Sequence, residues 1–112
     1  MIYSLDKLNE MAEGDEDFIN SVVSVFLEEV PYDLDLLEQA VGKKDYANVY
    51  QLAHKIKPNV DLLGMEQTRA CALEIETLGK NANNGAELDK LFQLLQKDIH
   101  QVVAELKKDF DL

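Results

Sequence analysis

His54 and Lys57, in the segment Ala53-His54-Lys55-Ile56-Lys57-Pro58, are the residues whose types and spacing could do chemistry. Histidine titrates close to neutral pH, so an exposed neutral imidazole can act as a nucleophile, a proton carrier or a metal ligand. A lysine three residues later on a helix shares its face and can offer an ammonium to an anionic group one turn away. Whether the imidazole is available depends on the face it occupies. With Val49 at zero on a wheel of about 100° per residue, Ala53, Ile56, Val60 and Leu63 fall within about 40° and form a core stripe. His54 lies about 140° away and Lys57 about 80° away on the same side, with Tyr50 and Asp61 near the same meridian. His54 is therefore expected at the surface, with an ammonium one turn along, while Lys55 points elsewhere.

Other constellations are weaker. A His54–Asp61 metal pair lacks further ligands, and no two carboxylates combine a buried setting with a facing partner as an acid–base dyad would need. His100 lies about 120° from the stripe of its helix and reads as a solvated side chain. Cys71, among Ala70, Ala72 and Leu73, reads as a small core residue, and a lone cysteine can neither close an internal disulfide nor form a zinc knuckle. Gly14, Gly42, Gly64, Gly79 and Gly85 are isolated turn or cap residues, with no glycine-rich loop ahead of a Lys and Ser or Thr to hold a nucleotide.

The elements that must position His54 follow from helical periodicity. A short first helix starts after Ser4 and ends near Glu13-Gly14. The second begins with Asp15, Glu16 and Asp17, where the helix dipole favours acids, and carries Ile19, Val22, Val23, Phe26, Val30, Leu34, Leu37 and Val41. Pro31 within it predicts a kink or a restart. Gly42-Lys43-Lys44-Asp45 reads as a turn in which Gly42 ends one helix, the lysines serve its carbonyls and Asp45 caps the next. The third helix carries Val49 to Leu63 and stops at Gly64. A fourth runs from about Glu66 to Leu78 on Ala70, on Leu73 or Ala72, and on Ile75 to Leu78, followed by an Asn-rich turn over 79–85. The fifth has Leu88, Leu91, Phe92, Leu95, Ile99, Val102 and Leu106 in register, with Lys107 and Lys108 at its end. The fold class expected is all-α, an antiparallel four-helix bundle with a short additional N-terminal helix, with residues 1–112 forming one domain.

Composition narrows the function. The chain has 112 residues, 22 acidic against 11 basic, a net charge of −11, and 46% apolar residues. That is too apolar for a disordered tail. The acid excess argues against nucleic acid, whose binding draws its affinity from Lys and Arg on phosphates, and against a basic membrane-binding face. The longest apolar run, Ala70 to Leu73, is far short of the roughly 20 residues of a membrane span. A cytoplasmic monomer is expected.

The run from Ala53 to Met65 resembles the signature of the histidine-containing phosphotransfer (HPt) domain, in which His is followed by Lys at the third position, usually Gly at the fourth and another Gly at the tenth. His54, Lys57 and Gly64 match. Phe26-Leu27-Glu28-Glu29, Asp45 ahead of the His-bearing helix, and Leu73-Glu74 with Ile75-Glu76 extend the resemblance over nearly the whole chain. The fourth position departs from the pattern, being Pro58, which removes the donor to the His54 carbonyl and is expected to bend the helix there. The resemblance implies a phosphorelay intermediate: His54 accepts a phosphoryl group from an aspartyl phosphate on a response-regulator receiver domain and passes it to another receiver. Lys57 would cancel charge on the phosphoryl oxygens. Tyr50, Lys55, Pro58, Asp61 and Gly64 would serve docking. The chain would be a carrier without an ATP site or kinase activity, and would need no cofactor or metal of its own, Mg²⁺ belonging to the receiver. A hybrid sensor histidine kinase is a further candidate partner. Two competing readings are an HPt-like module that binds a receiver without being phosphorylated and, more remotely, a metal-dependent helical enzyme. A locally less negative patch is expected at Lys55 and Lys57.

Overall fold

A computed structural model describes residues 2–82 and 85–112. Five helices follow one another, α1 (Asp6–Ala12), α2 (Glu16–Gly42), α3 (Tyr46–Leu62), α4 (Glu66–Lys80) and α5 (Ala86–Asp109), and no strand occurs among the described residues. The cap that starts α3 is the expected Asp45, while Asp15, expected in the first turn of α2, is instead its N-cap. The Asp15 carboxylate accepts from the Phe18 backbone N–H at 3.2 Å, and that of Asp45 accepts from Asn48 N–H at 3.4 Å, each satisfying a donor that the helix start leaves free. At the α2–α3 turn it is backbone rather than lysine side chains that serves the last carbonyls. The N–H groups of Lys43, Lys44 and Asp45 donate to Gln39, Val41 and Ala40, and Lys44, not Gly42, takes the left-handed conformation.

The apolar stripes pack where their spacing placed them. Val23, Phe26, Val30, Leu34 and Leu37 of α2, Val49, Ala53, Ile56 and Val60 of α3, and Leu88, Phe92, Leu95, Ile99, Val102 and Leu106 of α5 are buried together. α2, α3, α4 and α5 pack in chain order, each against the next, α5 returns to α2, and α1 lies on α2. This burial on both sides of Pro31 carries α2 through as one helix with no restart. α3 likewise continues through Pro58 to Leu62, its turn there held by the Asn59 side chain donating to the Lys55 carbonyl at 3.2 Å.

α4 departs from the expected face. Its buried residues are Thr68, Ala72, Ile75, Glu76 and Gly79, whereas Ala70 and Leu73 are exposed. Ala72, not Leu73, takes the core position because two polar side chains and a glycine complete its row. Gly79 is not a turn residue but lies inside α4: a Cβ on it would sit 2.7 Å from the Tyr50 backbone nitrogen and 3.0 Å from Val49 Cγ1. Only a glycine lets the two backbones approach so closely. The expected Asn-rich turn is described only in part, since residues 83 and 84 lie outside the described residues.

The N-terminal segment ties three elements together. Tyr3 is buried and its hydroxyl donates to Asp109 Oδ2 at 2.6 Å, while Ile2 N–H donates to Glu105 and Ser4 N–H to the Leu63 carbonyl. Burial, the Asp109 hydrogen bond and the charges of Asp109 and Glu105 push the Tyr3 phenol up to about 12. Ser4 Oγ accepts from Asp6 N–H at 3.2 Å, but the N-cap of α1 is Leu5, one residue later than the serine expected there, and no side chain caps the helix. Gly64 holds a φ of +66° at the α3–α4 turn, where a Cβ would stand 2.9 Å from that of Ser4. No helix among the described residues is long and apolar enough to cross a membrane.

Candidate functional site

With Val49, Ala53, Ile56 and Val60 turned inward, α3 presents His54 outward, and its side chain is 63% exposed. The close approach at Gly79 brings the preceding turn of α4 against this face, placing Glu76 beside His54. Glu76 is itself buried. His54 Nδ1 lies 3.1 and 3.3 Å from its two carboxylate oxygens, and Lys57 Nζ donates to the same oxygens at 3.1 and 2.9 Å. One carboxylate thus holds both predicted residues.

Burial pushes the Glu76 carboxyl up, but the hydrogen bonds and charges of Lys57 and His54 pull it down harder, and it lies below the ordinary carboxylate range. An ionised carboxylate can only accept, so the His54 nitrogen facing it must carry the proton. The Nδ1–H donates to Glu76, and in the neutral ring the lone pair is left on Nε2. The Tyr50 ring, one turn before His54, lies nearly parallel to the imidazole, with centroids 6.0 Å apart and planes 13° apart. A carboxylate at Nδ1 and an aromatic ring on one flank restrict the orientation of an otherwise exposed imidazole.

The remaining predicted residues divide. Pro58 is exposed on the crest of α3. Lys55 turns toward α2, where its Nζ lies 3.2 Å from Oδ1 of buried Asp33. Asp61 pairs at the surface with Lys7 at 2.8 Å and Arg69 at 3.7 Å, and Gly64 packs on Ser4. Lys55 and Lys57 do not form a free positive patch, because each is matched by a buried carboxylate. His100 is exposed, and among the described residues no three His, Cys, Asp or Glu side chains are placed to hold a metal. Glu76 is the member of the candidate site that apolar periodicity missed. Its signal was its register: four residues after Ala72 places it about 40° from that core position.

A family model described as the Hpt domain matches residues 21–105, a span that holds His54, Lys57, Glu76 and Gly64. The chain belongs to the Hpt domain family. Hpt domains act in phosphotransfer within two-component phosphorelays, as phosphocarrier modules that work with receiver domains rather than as kinases. Neither the search of curated proteins nor that of solved structures returned a match. The matched span includes His54, the exposed histidine whose Nδ1 faces Glu76 and whose Nε2 has no hydrogen-bond partner among the described residues.

Proposed function

We propose that this Hpt domain is a phosphorelay intermediate that carries phosphoryl on Nε2 of His54 between the aspartates of two receiver domains. The observation that carries the proposal is an exposed imidazole whose Nδ1–H is held by buried Glu76. In the transfer, the Nε2 lone pair forms a bond to phosphorus as the bond from phosphorus to the aspartyl oxygen breaks, releasing a carboxylate on the donor. The ring keeps its Nδ1 proton and gains positive charge, which the Glu76 carboxylate 3.1 Å away stabilises. Passing the group to the next aspartate reverses these steps.

Lys57, one turn along and 25% exposed, is bound to Glu76 at rest. An arriving phosphoryl group gives its ammonium a second anion to serve, and its role is to offset charge on the equatorial oxygens. Docking falls to Tyr50, Pro58 and Lys55 around His54, while Asp61 and Gly64 shape the end of α3. The scaffold is read as an antiparallel four-helix bundle with α1 appended, a single cytoplasmic domain acting as a monomer, charged by receivers and, upstream, a hybrid sensor kinase.

The test is incubation with a phosphorylated receiver domain. Acid-labile, base-stable label should appear on the wild-type chain and not on His54→Gln. Label on both proteins would remove His54 from the reaction.

A further inference from the structure

Among the described residues, Asp33 is the one buried carboxylate whose partners do not account for it. It is 1% exposed on α2; Lys55 serves Oδ1, and Oδ2 is buried with no hydrogen-bond partner. A buried carboxylate oxygen left unpaired is costly, so one kept in a folded chain calls for a donor beyond those in the fold. Asp33 lines an open groove of about 360 Å³ between α2 and α3, together with Glu28, Glu29, Tyr32 and Lys55. Among the described residues Glu28 and Glu29 pair with no cation, so Lys55 is the single positive group facing three acids. Tyr32, 64% exposed, adds an aromatic face to the wall.

We infer that this groove is a guanidinium site that takes an arginine side chain from the partner docked over His54. Lys55 already supplies a point charge to Oδ1; the planar fork of an arginine, with five donors, can serve Oδ2 and a second carboxylate together and stack on Tyr32. Lys55 is the exposed lid of the site, free to swing outward as the guanidinium enters. The groove also lies within a docking footprint. His54 and Lys55 are adjacent on α3 and lean to opposite sides of its crest, one toward Glu76 and the other toward Asp33. A protein partner typically covers about 800 Å² on each side, a patch roughly 30 Å across, so one centred on His54 spans both sides of the helix. That the arginine belongs to a receiver rests on the proposed phosphotransfer; that the groove takes a guanidinium rests on the groove alone.

The experiment separates the two. The isotopically labelled full chain is titrated by NMR with N-acetyl-arginine methylamide and with its uncharged citrulline analogue. The arginine probe should shift the Asp33 carboxyl carbon and the amides of Tyr32, Asp33 and Lys55 saturably, at least tenfold more tightly than citrulline. Asp33→Asn should abolish the saturable phase. The double variant Glu28→Gln with Glu29→Gln, both residues on the surface and unpaired, should weaken binding about fivefold without affecting folding. Equal binding of citrulline, or unchanged arginine binding by Asp33→Asn and by the double variant, overturns the site. In transfer from a phosphorylated receiver, the double variant should raise KM severalfold and leave the saturating rate in place; an unchanged KM overturns the docking half. A wild-type chain that binds arginine but takes label from no receiver overturns the reading of His54 and the docking half, and leaves the guanidinium site standing on the titration.

Discussion

Replacing Glu76 by Gln keeps a carbonyl that can accept from His54 Nδ1–H and removes the negative charge, so it isolates what the charge does. In the wild type the carboxylate lies 3.1 Å from Nδ1. At that distance a full positive charge on the ring would be stabilised by about 1.3 kcal/mol at the dielectric of water and about 5 kcal/mol at the value near a protein surface. The ring is largely exposed and only part of the charge has developed when the new bond is half formed, which brings the differential effect to about 1.4 kcal/mol, or roughly tenfold in rate. Single-turnover transfer from a phosphorylated receiver should therefore slow about tenfold in Glu76→Gln. Glu76→Ala, which also frees the ring to adopt the other tautomer and leaves Lys57 without its partner, should slow by roughly a further threefold to tenfold. Quench-flow measurement at saturating receiver reads the rate, and circular dichroism checks that both variants fold. Transfer by Glu76→Gln at the wild-type rate would refute the electrostatic role of Glu76, and equal rates for Gln and Ala would refute its role in fixing the tautomer.

Lys57→Ala should slow the same single turnover by roughly tenfold to a hundredfold and, because it leaves the buried Glu76 carboxylate with only His54 to serve it, should also lower stability by about 1 to 3 kcal/mol in urea unfolding while the bundle still folds. Gly79→Ala puts a Cβ within 2.7 Å of the Tyr50 backbone; the overpacking should destabilise the chain by about 1 to 3 kcal/mol in urea unfolding and, by pushing α4 off α3, slow transfer as well. The Tyr3 phenol is raised from 10.0 to about 12, so its contribution is fully present below pH 10 and lost as the pH climbs through the folded value. Tyr3→Phe should be less stable than wild type at neutral pH by about 1 kcal/mol and should show a flatter decline between pH 10 and 12 in denaturant titrations.

The long helices were legible because burying an apolar stripe is what each of them does, and Val49 through Leu63 fixed the wheel on which His54 had to face out. Asp45 was legible as a cap from its place after the Gly42-Lys43-Lys44 turn, and Asp15 only as an acid at the start of α2, since a capping aspartate and a first-turn aspartate differ by a single residue of register. α4 was not, because the residues that complete its inner face are Thr68, Glu76 and Gly79, none of which an apolar count selects. Glu76 can be buried because the Lys57 ammonium and the His54 Nδ1–H arrive from another helix to pair with it. Gly79 carries a turn signal in sequence, and its actual use, a close helix crossing, exists only once α3 lies across it. Pro31 was expected to kink or restart α2, and apolar contacts on both sides of it carry one helix through without a restart. The tie from Tyr3 to Asp109 spans nearly the whole chain and has no local signature. At the candidate site, the outward-facing histidine and the lysine one turn along were legible from spacing, whereas the carboxylate that pairs with both depends on packing.

The central claim is that Nε2 of His54 is the phosphoryl acceptor while Nδ1 keeps its proton on Glu76. ³¹P and ¹H–¹⁵N NMR of the chain charged by a phosphorylated receiver reads both nitrogens at once. The account predicts a single phosphohistidine signal, with phosphorus coupled to Nε2, a retained Nδ1 proton, and no signal from His54→Gln. Phosphorus on Nδ1, or label that persists in His54→Gln, would contradict it.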